Sequence, residues 1–429
     1  MKRCIVLSSV LSLLIAVAAP VHAAATALVP PKPNAPYFDQ FDPKPAPQPT
    51  GLLLKKGDRL AICGDSITEQ KMYSRIMETY LTVCVPELEV AVRQYGWGGE
   101  TAPGFLARMT NDCLRFNPTV ATTCYGMNDH GYRAYRPDIG ERYRKAQTAI
   151  VQSFKSNGTT VVLGSAGCVS KKADALNQNL CQLRNIDIEI AGEEQTAFAD
   201  VFWPMLVGGW VGTNEMDKSY SIAGGDGVHP GWAGHLVMAY AFLRALGLNG
   251  EIGTYTVDLQ SGAAAASEGH KILSANGGRV QIRSVRYPFC ATGAANSDNS
   301  MRSGMALVPF NQELNRLMLI VKNATASKYS VTWGQESRSY TAAQLEKGVN
   351  LAADFAENPF SAAFAKVDAA VAAKQAYETH QIKNIFHGPE FKLEPDTMLK
   401  LTEKVRAPLV GAIRSAFVPV THTIRIEAE

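Results

Sequence analysis

A serine hydroxyl attacks a carbonyl only when a neighbouring base takes its proton. At neutral pH a histidine oriented by a carboxylate is suited to that task. The chain offers these residue types in two short stretches. Gly64-Asp65-Ser66 directly follows an apolar run and directly precedes a helical pattern, which turns Ser66 outward at a strand's end. Asp226-Gly227-Val228-His229-Pro230 sets a carboxylate three residues before a histidine in a Gly/Pro loop, within reach of one another. Two further stretches supply uncharged hydrogen-bond donors. Gly96-Trp97-Gly98-Gly99-Glu100-Thr101 permits close backbone approach, so the Gly99 N–H can face a developing oxyanion. Gly126-Met127-Asn128-Asp129 adds the Asn128 amide. Each stretch alone also fits ordinary local structure: a capping box of Ser66 with Glu69, a Gly-rich turn, an Asx turn, a surface turn. Jointly, in this order and each after a strand-like run, they describe acyl transfer through an activated serine. His130 and His235 lie nearby, but neither has an acidic residue three positions before it in a loop. His235 falls on a helical pattern and reads as packed, while His130 reads as a pocket-lining residue. No C-x-x-C and no Cys/His cluster at zinc spacing occurs, and acyl transfer to water through a serine calls for no metal and no organic cofactor.

The elements that must hold these loops alternate. Residues 59–63, 88–92, 119–125 and 159–163 read as short apolar strands. Tyr73, Ile76, Met77, Tyr80, Leu81 and Cys84 carry helical spacing, and further helices are expected at 143–154, closed by Asn157-Gly158, at 180–190 and at 232–246. Strand–helix alternation predicts a parallel sheet covered on both faces, with its chemistry at the strands' carboxyl ends. After residue 249, strand follows strand (254–259, 279–286, 317–322, 329–333, 421–427), with helical stretches at 362–377 and 396–404. This reads as a β-rich C-terminal domain, 249–429, carrying a helical insertion.

The chain has 429 residues, 46% hydrophobic and 19% charged, which suits two or three domains with a sizeable core. A net charge of +3 argues against a dedicated nucleic-acid binder. Lys2 and Arg3, an apolar run over 5–19 and Val21-His22-Ala23 form a signal-peptide pattern over 1–23. Export to the periplasm or the exterior is therefore expected, without stable membrane insertion. Eight of the 22 prolines fall in 30–49, so 24–50 is expected to form an extended tether or to wrap the surface. Beyond Cys4 there are seven cysteines. Cys168 and Cys181 form the most plausible local disulfide, and Cys63 and Cys124 read as buried small hydrophobes.

Over residues 52–248 the four stretches resemble the SGNH (GDSL-type) hydrolase superfamily, named for its Ser, Gly, Asn and His blocks. The resemblance implies an α/β fold, a flavodoxin-like α/β/α sandwich. It implies Ser66 as nucleophile, His229 as general base and Asp226 as its orienting partner. The oxyanion hole would comprise the Ser66 and Gly99 N–H groups and the Asn128 amide. The family usually has Asn two residues before the first glycine of its second block, where this chain has Gln94. The implied reaction is ester hydrolysis through an acyl-enzyme. Export, and the aromatics Trp97, Tyr125, Tyr132 and Tyr135 beside the loops, favour an acetylesterase on acetylated poly- or oligosaccharides, with Asp65, Trp97 and His130 as expected substrate contacts. Some secreted carbohydrate esterases of this superfamily carry an appended β-rich module. A lipolytic enzyme and a non-catalytic glycan-binding protein are the alternatives. The Arg- and Tyr-rich stretch 132–144 is unlike an apolar lid, and a binding protein would need no base.

Overall fold

The computed structural model describes residues 32–170 and 173–429. The expected leader, 1–23, lies outside the described residues.

Strand β1 (Arg59–Gly64) shows why the first sheet is apolar throughout. Leu60 and Ile62 enter one core layer while Ala61 and Cys63 enter the other, so both faces are covered. β2 (Ala91–Gln94), β3 (Val120–Cys124), β4 (Thr160–Gly164) and β5 (Ala197–Ala199) pair with it in the order β2-β1-β3-β4-β5, all parallel. This is the flavodoxin-like order. The chain leaves β1 for β2 on one side and then crosses to β3 on the other. The opening of the sheet therefore lies beyond the carboxyl ends of β1 and β3, where Ser66 and Asn128 follow.

The short turn α1 (Ser66–Glu69) leads into α2 (Tyr73–Val83). α2 packs with α7 (Trp232–Ala245) on one face, and α3 (Ala102–Asp112) packs with α4 (Pro137–Ser156) on the other. α5 (Asp174–Glu193) and α6 (Phe202–Val211) complete the unit. Four elements of this unit differ from expectation, among them β5, whose three residues are too few to carry a readable pattern. The second strand begins at Ala91, because Pro86–Leu88 forms a 3-10 turn. α3 hides behind the Gly-rich loop, with Thr101 capping the Gly104 N–H and Pro103 in its first turn. α6 is apolar all round and so has no helical stripe to read.

In the second half, β6 (Glu251–Asp258), β7 (Ala264–Ala266), β8 (His270–Asn276), β9 (Arg279–Ser284), β10 (Arg316–Lys322), β11 (Lys328–Trp333), β12 (Glu336–Thr341), β13 (Val349–Asn350) and β14 (Val420–Ala428) form two sheets. Their orders are β13-β10-β6-β7 and β12-β11-β14-β9-β8. The hydrophobic core runs without a break from α2 and α7 into these sheets. Of the two long helices, Ser361–His380 lies against α2 and the free edge of β2, and Pro395–Ala416 packs on that helix and reaches β2 through Arg406 and Glu403. The outward-facing Val92 carbonyl accepts from Lys374 Nζ (2.6 Å) and Arg406 Nη2 (3.1 Å), and the outward Gln94 N–H donates to Glu378 (3.2 Å).

Residues 32–50 wrap the surface with a single 3-10 turn, Pro36–Gln40. Phe38 and Phe41 are buried, their rings 5.8 and 6.4 Å from that of Trp203. All seven cysteines of the described residues are free and buried, so the expected Cys168–Cys181 bridge is absent. Each thiol sits in core packing instead, as expected for Cys63 and Cys124.

Between the two C-terminal sheets, Ser284 Oγ lies 2.7 Å from His270 Nδ1 and 3.1 Å from His422 Nε2, and Trp333 Nε1 donates to His422 Nδ1 (3.1 Å). Burial, helped by His270, depresses the His422 pKa from 6.5 to about 3. Between those values the unfolded chain binds a proton that the folded chain refuses. The stabilisation is therefore lost as pH falls below 6.5, by about 1.4 kcal/mol per pH unit for this one ring. In urea unfolding across this range, His422→Gln is expected to flatten the acid slope by about that amount. An unchanged slope would show that the ring does not titrate on unfolding.

Candidate active site

Three turns at the carboxyl ends of the parallel strands meet at Ser66. Asp65 is the N-cap of α1, its Oδ1 accepting the Ile67 N–H at 2.9 Å. The Ser66 hydroxyl is thereby spared from capping, and the Ser66–Glu69 capping box that the spacing would also allow does not form. Ser66 Oγ instead lies 2.8 Å from His229 Nε2. His229 Nδ1 lies 2.7 Å from Asp226 Oδ2, while Asp226 Oδ1 accepts the N–H groups of Val228 and His229, both at 2.9 Å. Burial opposes the charge of Asp226, but the His229 N–H, the His229 ring and the Val228 N–H outweigh it and hold its pKa at about 2. Ionised Asp226 fixes the proton on Nδ1 and leaves Nε2 free to accept the serine proton.

The donors are placed by the second and third loops. Asn128 Nδ2 donates to the Glu100 carbonyl (2.9 Å), and the Tyr132 hydroxyl donates to Asn128 Oδ1 (3.3 Å), so the amide is held at both ends. Asp129, buried behind it, accepts the N–H groups of Ala102 and Gly126, tying the Asn loop to the start of α3. Gly99 takes φ +71°, a conformation that favours glycine. At Gly96 a Cβ would lie 2.2 Å from the Glu69 backbone nitrogen, so only glycine lets the second loop pass so close to the serine turn.

Residues 62–237 match the GDSL-like lipase/acylhydrolase family. This unit is a GDSL-type hydrolase of the SGNH superfamily. The protein is accordingly a carboxylic ester hydrolase. An acetylxylan esterase of Geobacillus stearothermophilus is 25% identical over 220 residues, 46% of this chain and 97% of that protein. Its crystal structure aligns at 23% identity with a TM-score of 0.40, again over 46% of this chain and 97% of its own. A gut microbial diltiazem-metabolizing enzyme, at 22% identity, aligns over 89% of this chain and 100% of its own with a TM-score of 0.71. That likeness of fold takes in the β-rich half as well as the SGNH unit.

Within the SGNH unit, Gln94 stands where the family usually has Asn. Its Nε2 donates to the Thr68 carbonyl at 2.8 Å, so it ties the second block to the serine turn. Two of the expected substrate contacts are corrected. Asp65 is 2% exposed and engaged in capping, and burial, with the Asp129 and Glu100 carboxylates, raises its pKa to about 7 against the pull of the Ile67 N–H. His130 is fully buried, with Nδ1 on the Met127 carbonyl, and burial lowers its pKa. Both side chains lie under the loops because their partners are backbone groups of those same turns. Trp97 is half-buried, edge-on to His387 at 4.8 Å and beneath the Arg108 guanidinium. His235 is fully buried on α7. It accepts the Tyr73 N–H at Nδ1 (3.2 Å) and meets Gln70 Oε1 at Nε2 (3.0 Å), and burial pushes its pKa to about 3. It is thus spoken for on both nitrogens, away from Ser66. The sequence pattern alone did not expose Glu69 and Lys383. Glu69 Oε2 accepts the Gly98 N–H and meets Lys383 Nζ, 314 residues away, at 2.9 Å.

Proposed function

We propose that Ser66, His229 and Asp226 hydrolyse acetyl esters of poly- or oligosaccharides. The observation that carries this reading is the 2.8 Å contact of Ser66 Oγ with Nε2 of His229. His229 Nε2 takes the Ser66 proton as Oγ attacks the ester carbonyl. The resulting oxyanion is stabilised by the Ser66 and Gly99 N–H groups and the Asn128 amide. His229 returns the proton to the departing sugar oxygen, leaving an acetyl-serine. Water, deprotonated by His229, attacks that carbonyl, and collapse releases acetate and restores Ser66. Asp226 balances the imidazolium in both halves.

Two observations support a short acyl group on a sugar. The mouth is open and polar: residues 132–138 are exposed, with Tyr132 and Tyr135 presenting rings to solvent. The similarity to an acetylxylan esterase points the same way. The residues 1–23 leader would deliver the enzyme outside the cytoplasm, where such polymers occur.

The test is a p-nitrophenyl ester series from acetate to palmitate, followed by acetate release from acetylated xylo-oligosaccharides. Acetate is expected to give the highest kcat/KM, with butyrate lower by on the order of tenfold or more. A maximum at octanoate or longer would replace this reading with a lipolytic one.

A further inference from the structure

The Gly98-Gly99 pair is the most pliable backbone in the site, because each glycine loses more conformational freedom on ordering than any other residue. An oxyanion donor on such a pair works only if something outside it fixes the peptide planes. Within the SGNH unit, the Trp97 N–H is bonded to the Gly64 carbonyl (3.0 Å), and the Glu100 N–H to the Trp97 carbonyl (3.2 Å). The remaining N–H before Gly99, that of Gly98, points at the Glu69 carboxylate. Glu69 is itself gripped from the C-terminal half: Lys383 Nζ lies 2.7 Å from Oε1 and 2.9 Å from Oε2, and 5.2 Å from the Trp97 ring centre.

Lys383 sits in a distinctive place. The helix Ser361–His380 widens into a π turn, Gln381–Ile385, where the Phe386 N–H bonds back to the Gln381 carbonyl at 3.0 Å. Such turns are rare and concentrate at functional sites. Four residues on, His387 meets Asp112 on α3 at 2.8 Å and packs edge-on against Trp97. The same segment therefore braces the Gly loop through Glu69 and through its flanking tryptophan.

We propose that Lys383 is a positioning residue of the esterase: acting through Glu69, it holds the Gly98 peptide so that the Gly99 N–H is pre-aimed at the oxyanion. The inference rests on the serine-esterase reading above and gives the C-terminal half a direct part in catalysis. Lys383 touches no reacting atom. Its removal frees a donor, so the loss is bounded by that of deleting one oxyanion donor, on the order of 10²–10³.

The experiment compares Lys383→Met, Lys383→Arg and Asp368→Asn with wild type, using p-nitrophenyl acetate and thermal unfolding. Asp368 joins the same two parts of the chain through Arg75 (2.7 Å) but lies away from the loop, so it controls for simple loosening. Lys383→Met is expected to lower kcat by roughly 10- to 100-fold with little change in KM. Lys383→Arg should recover most of that loss, and Asp368→Asn should lower the melting temperature while keeping kcat. The proposal is overturned if Lys383→Met keeps wild-type kcat, or if Asp368→Asn loses as much kcat as Lys383→Met. Ser66→Ala in the same assay separates the two readings. If it stays active, the serine mechanism fails; if it is dead while Lys383→Met is fully active, the brace alone fails.

Discussion

Ser66→Ala is expected to lower kcat for p-nitrophenyl acetate by on the order of 10⁵–10⁶, and His229→Ala by a similar factor. The double variant should be no worse than either single one. The reason is geometric: a single proton path runs from Ser66 Oγ to His229 Nε2 at 2.8 Å, and breaking it at either end breaks the same step. Asp226→Asn should cost less, roughly 10⁴, because it alters the tautomer and charge balance of the ring without removing it. All three positions are partly or well exposed, so melting temperatures should move little. A Ser66→Ala protein retaining more than about a hundredth of wild-type kcat would overturn the assignment, since that exceeds any residual catalysis from binding and oxyanion donors alone.

The largest effect on stability is expected at Lys374. Its ammonium group is almost wholly buried, between Glu378 (2.8 Å) and Glu78 (3.0 Å), and it also donates to the Val92 carbonyl. Burial raises the Glu78 pKa, and Lys374 opposes that rise. Lys374→Met keeps the volume but strands carboxylates in the core, and about 3–5 kcal/mol of unfolding free energy should go. Guanidinium unfolding would measure it. Adding Glu78→Leu should restore part of the loss, because the cost lies in the unpaired charge rather than in the missing lysine. If the double variant is as unstable as the single one, packing and not charge accounts for the effect.

Ser66, Asn128, Asp226 and His229 were legible because their signals are local. Ser66 and Asn128 lie within a few residues of a strand end, while Asp226 and His229 sit in the loop before α7, far from any strand, where a three-residue spacing brings Asp226 to His229 without help from the rest of the fold. The parallel sheet was legible for the same reason, through alternating apolar runs and helical stripes. What failed to show was long-range. Lys374 and Lys383 are two cations on an Ala-rich helical stretch, and nothing near them in sequence indicates partners 282 and 314 residues away. The stretch 362–404 reads as an insertion and does fall between β13 and β14, but nothing in it shows that the helix Ser361–His380 lies on β2 and α2. Asp65 and His130 have side chains suited to substrate contact, but the burial that removes them is a property of three converging turns. Cys168 and Cys181 are close in sequence, and only packing shows that both thiols face the core.

An edge strand of a parallel sheet normally shows a row of open backbone groups, a template on which another chain can add a strand. On β2 the outward Val92 carbonyl and Gln94 N–H are instead engaged by charged side chains from the C-terminal helices. A side-chain ion pair satisfies the backbone as a neighbouring strand would, yet offers no backbone of its own for further addition. The C-terminal helices thus act as a stopper against edge-to-edge polymerisation, so that loosening them would turn a folded enzyme into a seed for aggregation before it unfolds.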